Sequence, residues 1–152
     1  YISWCDNKSI LHNFKSEIDE KIDSLMTHMD LNGLIYDTVM PKGLIHGDLT
    51  LENILWYNGD FYLIDANPTN LNSIHFDANK LRQDLDCLWF VRDRKKRLEI
   101  KIACRRISAK LKRRFPFMRN NDLMVFMLSR ILPYSNKIED REFLYREISK
   151  WR

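Results

Sequence analysis

The chain is poor in the residues that break or staple a polypeptide, with four Gly, four Pro and three Cys in 152 positions. So little Gly and Pro excludes collagen-like repeats and Gly/Pro low-complexity sequence. Cys5, Cys87 and Cys104 are far apart and odd in number, without Cys-x-x-Cys spacing or a completing His cluster. They are expected to be reduced, buried thiols in a reducing compartment, neither a disulfide framework nor a zinc site. Long apolar runs are also missing. The stretch 123–132 carries Arg130 and is about half of a membrane span. The start, Tyr1-Ile2-Ser3-Trp4, has no initiator Met and lacks the basic-then-apolar pattern of a secretory signal. It reads as a cut through a longer protein, with a cytoplasmic location that leaves contact with the inner face of a membrane open.

What is present suffices for an ordinary core. Hydrophobic residues make up 45%, aromatics 12% and charged residues 30%, with Lys+Arg 25 against Asp+Glu 21 and a net charge of +4. Such mixed charge excludes an acidic disordered chain, and the length fits one domain over 1–152.

Residues 9–29 predict a helix, because Leu11, Phe14, Ile18, Ile22, Leu25 and Met29 step by three or four. Asn32-Gly33 would end it, and Pro41-Lys42-Gly43 breaks the chain before the apolar, strand-like pair Leu44-Ile45. Residues 53–65 predict a β-hairpin, two β-prone runs flanking Asn58-Gly59. From Asp77 the pattern turns helical, with helices expected near 77–94, 96–114, 120–132 and 139–151. In the second of these, Leu98, Ile102, Ile107 and Leu111 fall roughly on one face. Trp56 or Trp89 is expected to be well buried in the packing of these elements.

The informative stretch runs from Leu44 to Leu55 and contains His46-Gly47-Asp48-Leu49-Thr50-Leu51-Glu52-Asn53. Across the hairpin follows Leu63-Ile64-Asp65-Ala66-Asn67. His-x-Asp, four residues, then Asn, with a further Asp after a hairpin, is the spacing of a kinase catalytic loop and its metal-binding Asp. The chemistry explains the spacing. Phosphoryl transfer needs a carboxylate beside the attacking hydroxyl, a place that Asp48 fits. It also needs oxygen ligands for Mg²⁺, which Asn53 and Asp65 supply. A lone His-x-Asp carries little information; four polar positions in register around a hairpin carry much more.

On these residues the chain resembles the kinase-like phosphotransferases of the aminoglycoside phosphotransferase and choline kinase group, whose usual form of the loop is His-Gly-Asp. The longer phrase is similar to phosphotransferases encoded with bacterial surface-polysaccharide genes. The match covers 41–81. It implies an α+β, mainly helical fold, the C-terminal lobe of a protein-kinase-like architecture. The catalytic loop would be 44–55, the metal-binding hairpin end 61–67 and the helical remainder 77–151. It assigns Asp48 as catalytic base, Asn53 and Asp65 as Mg²⁺ ligands, and ATP or another NTP as donor. His46 would sit under the loop and hydrogen-bond backbone. Asp77 would brace the loop by accepting its N–H groups, would cap its own helix, or would do both.

Departures are informative too. Gly47 replaces the Arg that pairs with a phosphorylated activation loop. Thr50 stands where relatives have Lys or His, and no Ala-Pro-Glu follows, which disfavours a peptide substrate. Nothing upstream of residue 9 supplies a Gly-rich turn or a phosphate-gripping Lys. The implied partner is therefore the protein's own N-lobe, absent from this chain, and the chain alone should turn over little.

Residues 92–114 carry twelve Lys and Arg against Asp93 and Glu99. A solvated helix face explains such a run, as does an anionic substrate or membrane surface; nucleic acid is disfavoured because the aromatics do not interleave. The expected function is ATP/Mg-dependent phosphorylation of a hydroxyl on a small molecule, glycan or lipid-linked saccharide. Two alternatives stay open, a non-catalytic kinase-like scaffold and a basic helical domain that binds anionic surfaces.

Overall fold

The helix expected over 9–29 is shorter than its apolar stripe and is preceded by a strand. In the computed structural model, which describes residues 1–2, 10–34, 38–67, 69–93 and 98–152, β1 (Ile10–Asn13) pairs antiparallel with β2 (Val39–Lys42), Ile10 opposite Lys42. Asn13 decides the switch. Its side-chain oxygen accepts the Lys15 N–H at 3.0 Å, a local bond that competes with continued helix, while the Phe14 N–H donates to Thr38 C=O at 2.8 Å. Leu11 keeps helical spacing with the stripe yet is 74% exposed on the strand. α1 (Lys15–Leu25) buries Ile18 and Leu25 as its periodicity requires. Pro41 does not break the chain but sits in β2, which is permitted where every strand is an edge. Leu44 and Ile45 are not a strand, and Leu44 is exposed.

The hairpin forms as its turn demands. β3 (Ile54–Tyr57) and β4 (Asp60–Leu63) pair with Tyr57 opposite Asp60. Asn58 and Gly59, at φ 50 and 90, give the primed two-residue turn that suits the twist of paired strands. The fold is thus α+β and mainly helical, with two small antiparallel sheets among the described residues.

Helix α2 (Ile74–Cys87) starts before Asp77 and stops well short of 94. Its N-cap is Ser73, whose hydroxyl accepts the His75 N–H at 3.3 Å; Asp77 therefore does not cap it. Leu88 closes the helix in the left-handed region at φ 61. α2 is buried on nearly every side. α3 (Leu98–Arg114) buries Cys104 and Ser108, whereas Leu98, Ile102 and Ile107, expected to share a packed face with Leu111, are exposed. α4 (Asn121–Ser129) is apolar all round and central, buried from Leu123 to Ser129, as an evenly apolar helix must be. α5 (Ile138–Trp151) lays Phe143, Leu144 and Ile148 against it.

Two apolar clusters matter for the site. The larger gathers Phe14, Ile18, Met40, Phe76 and the α4 and α5 side chains. The second holds Leu49 between Leu81, Leu85, Leu88, Val91 and Cys104, with Leu51 and Ile54 packed against it. Each fully buried side chain of this size contributes roughly 1.5–3 kcal/mol, so Leu49 anchors the residue next to Asp48. Neither tryptophan is well buried. Trp56 is 62% exposed on the hairpin, and Trp89 is half-buried against Phe143 at 5.7 Å between ring centroids. Cys87 and Cys104 are free and buried, and burial pushes the Cys87 thiol up to about 12; Cys5 lies outside the described residues. No helix among the described residues is long and apolar enough to cross a membrane.

Helix packing turns on Arg82, which is 0% exposed. Its Nε donates to Asp86 at 3.0 Å, one terminal nitrogen to Asn79 Oδ1 at 2.8 Å and to Asn120 C=O at 2.7 Å, and the guanidinium lies 5.4 Å from the Trp151 ring centroid. Asp86 also accepts Ser108 Oγ at 2.5 Å and Lys112 Nζ at 2.8 Å. One pair thus ties α2 to α3, to the start of α4 and to α5. Removing one member of a buried charge pair costs roughly 3–5 kcal/mol. Arg82→Met should therefore lower unfolding free energy by about that much in urea titrations. Lys112→Met, at a partly exposed position, should cost about 1 kcal/mol or less; equal costs would contradict this account of the packing.

Candidate active site

The chain enters the site from β2. The Lys42–Ser73 bridge and the Gly43 N–H, which donates to Asn72 C=O at 3.0 Å, tie the end of β2 to the start of α2. The next backbone groups are then taken by α2 itself. The N–H groups of His46 and Gly47 donate to Asp77 Oδ2 and Oδ1, both at 2.8 Å. Tyr1 Oη adds a bond to the same carboxylate at 2.7 Å. Pointing two successive N–H groups at one carboxylate takes a sharp turn, and Gly47 supplies it at φ 83, a region a side chain resists.

Two helical turns further along α2, Asp84 does the same for the other end of the loop. Its Oδ2 accepts the Leu51 N–H at 2.7 Å and its Oδ1 the Phe90 N–H at 3.2 Å. Between them on the same face stands Lys80, with Nζ 3.1 Å from Asp48 Oδ1. Positions 77, 80 and 84 share one side of a helix, so α2 presents carboxylate, ammonium and carboxylate to a loop with amide, carboxylate and amide.

The expected residues arrange themselves around this grip. His46 is buried. Its Nε2 donates to Ile64 C=O at 2.7 Å and its Nδ1 accepts the Asp48 N–H at 3.3 Å, a pairing that requires the proton on Nε2. Asn53, at the end of a 3-10 turn (Leu51–Asn53), donates Nδ2 to Asp48 C=O at 2.9 Å and to Asp48 Oδ2 at 3.4 Å. With its nitrogen used, Asn53 Oδ1 is the atom left for a cation.

Asp65 arrives by backbone. The Ile64 N–H donates to Asn53 C=O at 3.1 Å, and the Asn67 N–H donates to His46 C=O at 2.7 Å. Asp65 is therefore clamped on both sides, at φ 55, a left-handed conformation that costs a non-glycine residue roughly 1 kcal/mol or more. Its carboxylate is exposed and has no hydrogen bond or ion pair among the described residues.

Asp48 and Asn53 thus touch, His46 and Asp77 support them, and Asp65 is tied to the loop through the main chain. Asp48 lines a cavity of about 330 Å³ with Gly47, Asn67 and Lys80; neither Asn53 nor Asp65 lines it. Among the described residues no group of three or more His, Cys, Asp or Glu side chains stands together as a metal site. A cation that keeps its waters and takes phosphate oxygens needs only the amide and carboxylate offered here.

Lys80 and Asp84 escaped the sequence reading. The signal was available, since an acid seven residues beyond Asp77 and a Lys between them lie on one face of an otherwise buried helix. The basic run is also partly spent on structure. Arg92 pairs with Asp140 at 2.8 Å and lies 3.9 Å over the Trp89 ring, and Lys112 pairs with Asp86. Lys101, Arg105, Arg106, Lys110, Arg113 and Arg114 remain exposed, and 94–97 lie outside the described residues.

Burial pushes the Asp84 carboxyl up to about 6, against the pull of the Leu51 and Phe90 N–H bonds. A raised carboxylate penalises the folded state once ionised. Its cost is absent below the unfolded value near 4 and complete above about 6, worth roughly 3 kcal/mol. Wild type should therefore lose stability relative to Asp84→Asn as pH rises from 4 to 6, read from urea unfolding at several pH values. A constant difference, or one of the opposite sign, would contradict the assignment.

No protein-family model, curated relative or solved structure matched the chain.

Proposed function

We propose that this chain carries the catalytic and metal-binding half of an ATP- and Mg²⁺-dependent phosphotransferase of kinase-like fold, the counterpart of a kinase C-terminal lobe, acting on an alcohol. The observation that supports this best is the joint support of Asp48 and Asn53. The two side chains meet at 3.4 Å while Asp77 and Asp84 hold the loop at both ends. A loop kept only for its shape needs the braces but not a half-buried carboxylate lining a cavity.

In this reading Asp48 orients the acceptor hydroxyl and takes its proton as oxygen attacks the γ-phosphorus. The O–P bond forms, the bond to the bridging oxygen breaks and ADP leaves. Lys80, 3.1 Å from Asp48 Oδ1, holds the carboxylate in place and leaves the second lone pair of Oδ2, whose other contact is the long one from Asn53 Nδ2, for the hydroxyl. Asn53 Oδ1 and Asp65 would hold Mg²⁺, which when bound neutralises charge on the nucleotide phosphates. The exposed apolar side chains of the hairpin, among them Leu55, Trp56, Phe61 and Leu63, suit cover by the lobe that grips the nucleotide. A cytoplasmic setting, where ATP is available, goes with this reading.

The test is ATP consumption and acceptor phosphorylation by the full-length protein. Asp48→Asn keeps size and one acceptor but cannot take the proton. It should lower kcat by about 10²- to 10⁴-fold, roughly 3–5 kcal/mol of transition-state stabilisation, with circular dichroism unchanged. Asp65→Asn should instead raise the KM for Mg-ATP, because a carboxylate charge on the metal is lost. Unchanged turnover in Asp48→Asn would make the loop a structural remnant and favour the non-catalytic scaffold.

A further inference from the structure

The cavity beside Asp48 draws cations from three helices. Lys21 comes from α1, Lys80 from α2, and Arg130 from the residue that closes α4; Asp48 is the one carboxylate among the lining residues. Lys80 is spent on Asp48. Lys21 and Arg130 have no acid partner among the described residues; Arg130 meets only Met127 Sδ, at 3.4 Å. An adjoining cavity of about 400 Å³ shares Lys21, Thr69 and Arg130 and adds Glu17 and Glu20. Glu17 is already taken by His12 Nε2 at 3.0 Å, and Glu20 forms no ion pair with either cation among the described residues.

A half-buried guanidinium with no acid at ion-pair distance has given up hydration for little in return. Burial pushes Arg130 below its ordinary value, while Tyr134 and the charge of Asp48 push the other way. Asp48 therefore lies within electrostatic reach of Arg130. A phosphate or carboxylate on the ligand would complete the site, since the planar fork of Arg suits such groups. The volume is at the small end of ligand sites, roughly 300–1,000 Å³.

Resting on the phosphotransfer reading above, we infer that the acceptor alcohol is itself anionic, a phosphate ester or carboxylate whose charge docks on Arg130 and Lys21 while its hydroxyl faces Asp48. Amino alcohols and amino sugars are disfavoured, because they would bring an ammonium to a wall with two unpaired cations.

The test is calorimetric binding to the full-length protein without nucleotide. Inorganic phosphate, glucose 1-phosphate and acetate serve as anionic probes, methyl glucoside as the neutral one and glucosamine as the cationic one. The anions should bind in preference to methyl glucoside and glucosamine. Arg130→Gln and Lys21→Gln should each weaken anion binding by about tenfold or more, and Arg130→Lys should restore part of it. Lys21 lies on a partly exposed helix face, so its variant reads out even if Arg130→Gln fails to fold. Vesicles of phosphatidylglycerol present the same chemistry as a lipid headgroup. Retention on them that Lys21→Gln abolishes would assign the anion to lipid, and displacement by glucose 1-phosphate alone would assign it to a soluble ester. Absence of anion binding, preference for glucosamine, or affinity indifferent to both positions would overturn the inference. Absence of phosphoryl transfer in the wild-type full-length protein, with anion binding intact, would instead count against the phosphotransfer reading.

Discussion

Everything at the candidate site depends on the Asp77 carboxylate, which sits in the interior and accepts the N–H groups of His46 and Gly47. A buried carboxylate is costly unless its lone pairs are used, and successive backbone N–H groups have few other partners in a turn. Each side solves the other's problem. The outcome is a loop whose direction is fixed at its first residue, before Asp48. Burial still raises the Asp77 carboxyl above its ordinary value, as it does for Asp84. The grip is thus bought with some stability, which the apolar packing of α2 and α4 offsets.

Helix α2 works because it has two polar stripes. Asp77, Lys80 and Asp84 face the loop; Asn79, Arg82 and Asp86 face the other helices. The second stripe holds the first in place. Hydrogen bonds from Lys112, Ser108 and Arg82 keep the Asp86 carboxyl below its ordinary value even though burial pulls it up. The charge of Asp86 is therefore matched inside the protein. Between the stripes, Leu81 and Leu85 pack on Leu49, so the loop is held by apolar contact at its middle and by carboxylates at its ends.

Local chemistry was legible in the sequence and long-range partnership was not. Asn58-Gly59 announced the hairpin, because a primed turn needs those residues whatever surrounds it. The spacing of His46, Asp48, Asn53 and Asp65 announced a loop and a strand end that meet. The bracing role of Asp77 could be foreseen only as one of two options, since a cap and a brace ask for the same residue. Ser73 resolves it by capping α2 first. β1 was missed because Leu11 fits a helical stripe, and what overrides the stripe is a strand nearly thirty residues away. The packed face of α3 was misread because Cys104 and Ser108, which look neutral in a pattern, are the residues that α2 covers.

The most direct measurement is native-state hydrogen exchange at His46, Gly47 and Leu51 in wild type and in Asp77→Ala. The account predicts that all three amides of the wild-type protein exchange as slowly as interior amides of α2. In the variant, Gly47 should become fast while Leu51, held by Asp84, stays protected; His46, whose N–H also donates to Tyr1 Oη at 2.6 Å, should lose part of its protection. Fast exchange at His46 and Gly47 in the wild type, or Gly47 protection that survives loss of the Asp77 carboxylate, would contradict the claim that this helix holds the loop.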